Sequence, residues 1–364
     1  MRCFSVILFV SLFLFTSCKK QNNENPTVNT DNKFVRIAPR FDVPTFTSFW
    51  FFDTNNGIIT TNTGIVLNTH NGGKTWSDST IEGASNLNNL YFYNKNIGFC
   101  ADKNNTTYKI NGALWNVFDF PVKQTYPSSF FMLSENSIYA TTYLGQNVES
   151  YAVSSEDGGN SWDTLYSYLG NLEQILMIDE FTGFFIGKNN NQIILSKTTD
   201  KGKSWYGKIP GVYGTYYSET LILKKIITLD NNHLIVIGRG HKANQGCVFT
   251  SADAGENWDI VLTEHAINDV FATQTDVFFV GDEFFAAQWH IDNSQIENPV
   301  NITDNWKIFD PETDFYLSDK GEPASHYNHI IGVHFIDDKH GFILTKNLSS
   351  IFKITLKLSN TNTF

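Results

Sequence analysis

Three carboxylates and one amide stand in the same frame along the chain. Asn71, Asp157, Asp200 and Asp253 each lie two residues after a Ser or Thr and five before a Trp. A carboxylate on a turn can act as a general acid or base, ligate a hard cation, or fasten the turn by accepting its amide hydrogens. Glycosidic acid–base chemistry needs a second carboxylate across a cleft, and no pair stands out by spacing. Calcium needs several converging oxygens, which one such turn does not offer. Gripping a substrate carboxylate calls for converging guanidinium groups, yet beyond residue 17 the chain has only Arg36, Arg40 and Arg239. His326, His329 and His334 are the one histidine cluster to weigh as metal ligands; they lack an H-E-x-x-H frame and read as loop histidines. Nucleophile signatures and phosphate-cradling Gly-rich loops are absent. No catalytic residue, metal or cofactor is therefore expected.

The frame belongs to a longer repeat, S/T-x-D-x-G-x-S/T-W. Its copies are carried by Thr69, Asn71, Gly73 and Trp76; by Ser155, Asp157, Gly159 and Trp162; by Thr198, Asp200, Gly202 and Trp205; and by Ser251, Asp253, Gly255 and Trp258. Decayed copies end in Trp115 and Trp306, and the six Trp residues are 39, 47, 43, 53 and 48 residues apart. A period in the forties is the size of one four-stranded propeller blade. A second phrase, an apolar pair, a polar turn and a strand, recurs at Phe51–Ile58, Phe92–Phe99, Met177–Phe184 and Phe335–Phe342, with weaker versions at Phe131, Thr228 and Phe271. That makes seven hairpins against six Trp motifs. The segment Phe34–Arg40 resembles the strand each Trp opens and is expected to supply the missing outer strand of a seventh blade, closing the ring without an open edge. The predicted fold is all-β, a seven-bladed propeller, with six blades as the alternative.

These octapeptides resemble the Asp-box, or bacterial neuraminidase repeat, and together with the hairpin phrase they look like the propellers of the photosystem II assembly factor-like group. The resemblance covers nearly all of 34–358. It implies a propeller whose boxes join the two outer strands of a blade on the face away from the usual ligand side, so their carboxylates are structural. Asp-boxes also occur in sialidases, other glycosidases and sorting receptors, so the motif speaks for fold more than for function. The phrase Val35-Arg36-Ile37-Ala38-Pro39 is reminiscent of the sialidase F-R-I-P signature, with Ala38 spoiling the spacing. The photosystem role itself is not carried over, because nothing ties the chain to a photosynthetic membrane.

With 41% hydrophobic and 15% aromatic residues the chain has material for a large core, and a formal charge of −11 argues against a broad grip on nucleic acid. Residues 4–15 form an apolar run too short to span a bilayer. Thr16 and Ser17 then precede Cys18, an order that resembles a bacterial lipoprotein signal. The expected organisation is a signal peptide over 1–17, a polar linker over 18–32 from a lipidated Cys18, and one propeller over 33–364 with an insertion around 281–330. The chain is placed in the bacterial cell envelope, tethered to a membrane, facing periplasm or exterior, as a monomer. Cys100 and Cys247 fall in non-adjacent repeats and read as separate buried thiols.

Binding residues are sought on the loops joining successive blades and the two middle strands. Tyr213, Tyr216 and Tyr217 gather between glycines and offer rigid amphipathic contact area. Arg239 and His241 fall on the same face, and Trp289 and Tyr316 lie in the 281–330 region. The expected function is a protein- or glycan-binding or assembly scaffold without catalysis, with a sialidase-like extracytoplasmic glycoside hydrolase as the alternative.

Overall fold

The structure, a computed structural model, describes residues 33–37, 45–122, 125–143, 149–189, 192–207, 221–240, 242, 244–282, 285–291, 329–346 and 350–356. Seven antiparallel sheets form the blades of a propeller, so the six-bladed alternative is excluded. Blades one to six run in order over 46–80, 88–118, 126–169, 171–207, 222–263 and 267–290. The seventh combines 330–355 with the strand Lys33–Arg36. The inner strands, nearest the axis, are Phe46–Phe51, Asn88–Phe92, Tyr126–Met132, Asn171–Met177, Ile222–Thr228, Ile267–Ala272 and Ile330–Phe335. The region 281–330 begins inside blade six, whose third described strand is Ala286–His290, and ends at the start of inner strand seven; 292–328 lies outside the described residues.

The hairpin phrase has a common mechanism in all seven blades. A side-chain oxygen accepts the amide hydrogens two and three residues on: Asp53, Asn94, Ser134, Asp179, Asp230, Thr273 and Asp337 each do this at the first turn of their blade. The recurring glycine of the phrase is cross-strand partner to its apolar residue: Phe51 with Gly57, Phe92 with Gly98, Met177 with Gly183, Phe335 with Gly341. A Cβ on Gly57 would lie 2.4 Å from the Phe51 ring, so the glycine is needed for the ring to lie across the sheet.

The boxes are joints between blades. In the second, Ser155 Oγ donates to Asp157 Oδ1 (2.8 Å) and accepts from Gly159 N (2.8 Å), while Asp157 accepts from Ser161 N (2.8 Å) and Ser161 Oγ (2.6 Å). The substituted copies keep this net. Asn71 accepts from Thr75 N and donates its Nδ2 hydrogen to Thr75 Oγ1, and Asn257 replaces the second hydroxyl with an amide donor to Asp253. Each box glycine has positive φ, from 78° at Gly255 to 94° at Gly159, and abuts the preceding blade. Each box Trp donates its indole hydrogen to that glycine's carbonyl.

Ring closure follows the same rule. Lys33–Arg36 pairs antiparallel with Ser350–Thr355, Lys33 opposite Thr355 and Arg36 opposite Phe352. Ile37 N then donates to Ile351 O (2.9 Å), and Ile37 O accepts from Trp76 Nε1 (2.7 Å), so the closing strand locks blade seven onto the box of blade one. Cys100 and Cys247 are buried free thiols.

Candidate functional site

All seven inner strands carry a register irregularity near their start. A bulge releases a residue from the ladder and re-aims it. Strand direction alternates within a blade, so first hairpins and boxes share one end of the ring and the bulges lie toward the other, beside the axial mouth.

Four bulge side chains clasp the next blade by donating to a backbone carbonyl at the start of its inner strand. Thr47 Oγ1 donates to Leu87 O, Asn89 Nδ2 to Pro127 O (2.8 Å), Ser128 Oγ to Leu172 O (2.5 Å) and Asn268 Nδ2 to Ile330 O (3.0 Å). The pattern breaks at blades four, five and seven, where Glu173, Lys224 and Ile331 stand. An ionised Glu has no hydrogen to donate, Ile has no polar atom, and Lys224 Nζ turns to the side chain of Asn268 (2.6 Å to Oδ1). Around this break Arg239 Nη2 lies 3.1 Å from Asp282 Oδ2 and 3.2 Å from Asn268 Oδ1, and Asn268 Nδ2 donates to Asp282 Oδ1 (2.7 Å). His329 Nδ1 is 2.9 Å from Asp282 Oδ1. Arg239 Nε is buried, with no hydrogen-bond partner among the described residues.

The electrostatics follow from shared burial. Burial pushes the Glu173 carboxyl above its ordinary value, opposed by the charge of Lys224. Lys224 is lowered to about 8, first by burial and then by the charge of Arg239, against the pull of Asp282, Asp269 and Glu173. Lys224 and Arg239, with the carboxyls of Glu173, Asp269 and Asp282, therefore crowd one side of the mouth of a chain with few arginines.

One residue deeper, side chains cap the inner-edge amides of the next blade. Ser129 Oγ accepts from Ile175 N (3.1 Å), Gln174 Oε1 from Ile226 N (2.8 Å) and Asp269 Oδ2 from Val333 N (2.9 Å), while Lys225 Nζ lies 2.6 Å from Asp269 Oδ1. Deeper again runs a belt of rings, Phe271, His334, Trp50 and Tyr91, with neighbouring centroids 4.8, 4.8 and 6.1 Å apart. Bulges, caps and belt surround an axial cavity of about 450 Å³. A second cavity, about 350 Å³, shares Trp50 and His334 and lies toward the hairpin end.

Of the binding residues read from sequence, Arg239 is at the mouth. Trp289 is not. It lies in the third strand of blade six, half-buried against a cluster that includes Ile235 and Phe279, because the blade continues through the segment taken as insertion. Cys18, Tyr213, Tyr216, Tyr217, His241 and Tyr316 lie outside the described residues. The box residues are at the opposite end. His329 and His334 occupy separate levels, and among the described residues no group of three His, Cys, Asp or Glu side chains is placed to hold a metal.

Sequence reasoning missed Glu173, Lys224, Lys225, Asn268 and Asp269. A signal existed: Thr47, Ser128, Glu173, Lys224, Asn268 and Ile331 all stand four residues before the last residue of their inner strand. Aligning hairpins on that residue exposes one column that is small or amide in some blades and charged in two.

Together these features define a seven-bladed β-propeller with box-type joints and a polar axial mouth. No protein-family model matches the chain, and no curated protein matches it. Among solved structures it is similar to YCF48 bound to D1 peptide, at 16% identity and TM-score 0.61, over 90% of this chain and 97% of that one. It is also similar to YCF48 from Cyanidioschyzon merolae, at 12% identity and TM-score 0.57, over 88% and 98% of the two chains. The oligogalacturonate lyase from Vibrio parahaemolyticus matches at 8% identity and TM-score 0.62, over 91% and 95%. At these identities the likeness is one of fold, common to a peptide-bound protein and a lyase.

Proposed function

We propose that this chain is a binding propeller without chemistry of its own, tethered through Cys18 in a bacterial cell envelope, which docks a segment of another protein across its axial mouth. The observation that carries this reading is the broken clasp ring. Where the repeat places a small or amide residue to fasten the next blade, blades four and five place Glu173 and Lys224, backed by Arg239 and Asp282. Departures from an otherwise consistent structural rule concentrate at functional sites. The fold-level likeness to YCF48 bound to D1 peptide supports a protein partner. Affinity capture from the native envelope tests it: an Arg239→Ala/Lys224→Met variant should lose the partner that wild type retains, and Asp157→Ala should keep it while melting lower. Retention by a folded mouth variant would move the docking face elsewhere.

A second reading rests on Glu173. A carboxyl raised by burial at the axial mouth suits a general acid, which is what a glycoside-acting enzyme would need. Turnover of a glycan by wild type, lost in Glu173→Gln, would favour it over pure binding.

A further inference from the structure

The axial cavity lies beneath the mouth, and its two sides differ in chemistry. On one side, Gln174 of blade four and Lys225 of blade five stand at equivalent positions of their inner strands and both line the cavity. Gln174 accepts Ile226 N through Oε1, which turns its amide hydrogens the other way. The Lys225 ammonium has three hydrogens, and among the described residues it makes one hydrogen bond, to Asp269. The free capacity of the pair is therefore chiefly donor hydrogens. Asp269 neutralises Lys225 and is itself filled by Val270 N, Val333 N and the ammonium, so a second anion meets no net attraction.

In a seven-fold ring the gap between blades four and five lies opposite blade one. Trp50 of blade one stands there, with His334 of blade seven against it and Phe271 of blade six against His334. Their edge-to-face and tilted contacts leave π surface on the cavity wall, and His334 is held neutral, at about 3, chiefly by burial. We propose that the cavity is a binding site for an uncharged planar aromatic compound carrying a carbonyl oxygen, which accepts from Gln174 and Lys225 and lays its ring along the Trp50–His334–Phe271 arc. The volume, about 450 Å³, falls in the range of roughly 300–1,000 Å³ usual for small-molecule sites. This inference does not depend on docking at the mouth.

Calorimetric titration of the full chain with chromone, naphthalene and 1-naphthoate tests it. Chromone should bind saturably, naphthalene about tenfold more weakly for lack of an acceptor, and 1-naphthoate more weakly than chromone. Gln174→Glu keeps the acceptor for Ile226 N and removes the donor, so it should cost chromone about tenfold and leave naphthalene unchanged. Ile227→Trp should fill the cavity and abolish binding, and Trp50→Leu should weaken it should the larger residue prevent folding. Absence of saturable chromone binding, tighter binding of 1-naphthoate, or unchanged chromone affinity in both cavity variants would overturn the proposal.

Discussion

His334 is the residue whose titration most directly couples the axial belt to stability. Burial of its ring among Trp50, Phe271 and Phe49, and then the charge of Lys225, lower it from 6.5 to about 3, against a hydrogen bond to the backbone of Phe51 that pulls the other way. The unfolded chain therefore takes up a proton between about pH 6.5 and 3 that the folded chain refuses. Stability should decline as pH falls through that window, by at most about 1.4 kcal/mol per pH unit. His334→Phe should flatten this limb in pH-dependent denaturation. The box carboxylates act lower on the scale. Asp157 is lowered to about 2, first by the Ser161 hydroxyl and then by its amide, so its contribution is full above the unfolded value near 3.8 and disappears as pH falls toward 2. A single broad acid transition, unchanged by His334→Phe, would show that the belt does not carry the charge penalty assigned to it.

At the scale of strands and turns, the box glycine marks where one blade touches the next. Gly255 sits at φ 78°, and a Cβ there would lie 2.4 Å from the Phe184 ring of blade four. Gly255→Ala should destabilise by roughly 1–3 kcal/mol, from the backbone conformation and the clash together, measured by chemical denaturation. The seam gives a second test. Deleting 33–44 should cost on the order of several kcal/mol through lost pairing and burial, whereas deleting 19–30 should be nearly neutral; equal melting temperatures would contradict the closure. These elements were legible in the sequence because each rests on short-range chemistry. A Ser or Thr, an Asp and a Gly at fixed offsets make a turn wherever they occur, and Phe34–Arg40 could be matched to the strands after each Trp. The axial site was not legible in that way. Glu173 and Lys224 become neighbours only once a bulge in each inner strand turns the same position toward the mouth, and nothing local distinguishes them from solvated strand residues. Trp289 shows the converse: its ring falls in a long interval between motifs, and its strand forms part of blade six, away from the mouth.

For the whole molecule, the proposed tether predicts that Cys18→Ala loses the acyl mass and leaves the membrane fraction, checked by mass spectrometry and fractionation. The propeller itself should fold unchanged, since its described contacts begin at Lys33. The pairing of Lys33–Arg36 with Ser350–Thr355 also sets a timetable. During synthesis the first of these strands is made early and has no partner until nearly all the other blades have been translated. Blades one to six can assemble progressively from local hairpins, but the circle is completed only by a contact between distant parts of the chain, the slow kind of step. A ribosome that stalls before residue 350 releases an open arc with unpaired strand edges at both ends, prone to join other arcs. The finished chain loses those edges in one late event, so quality control of this protein should discriminate by completeness of translation more sharply than by any single substitution within a blade.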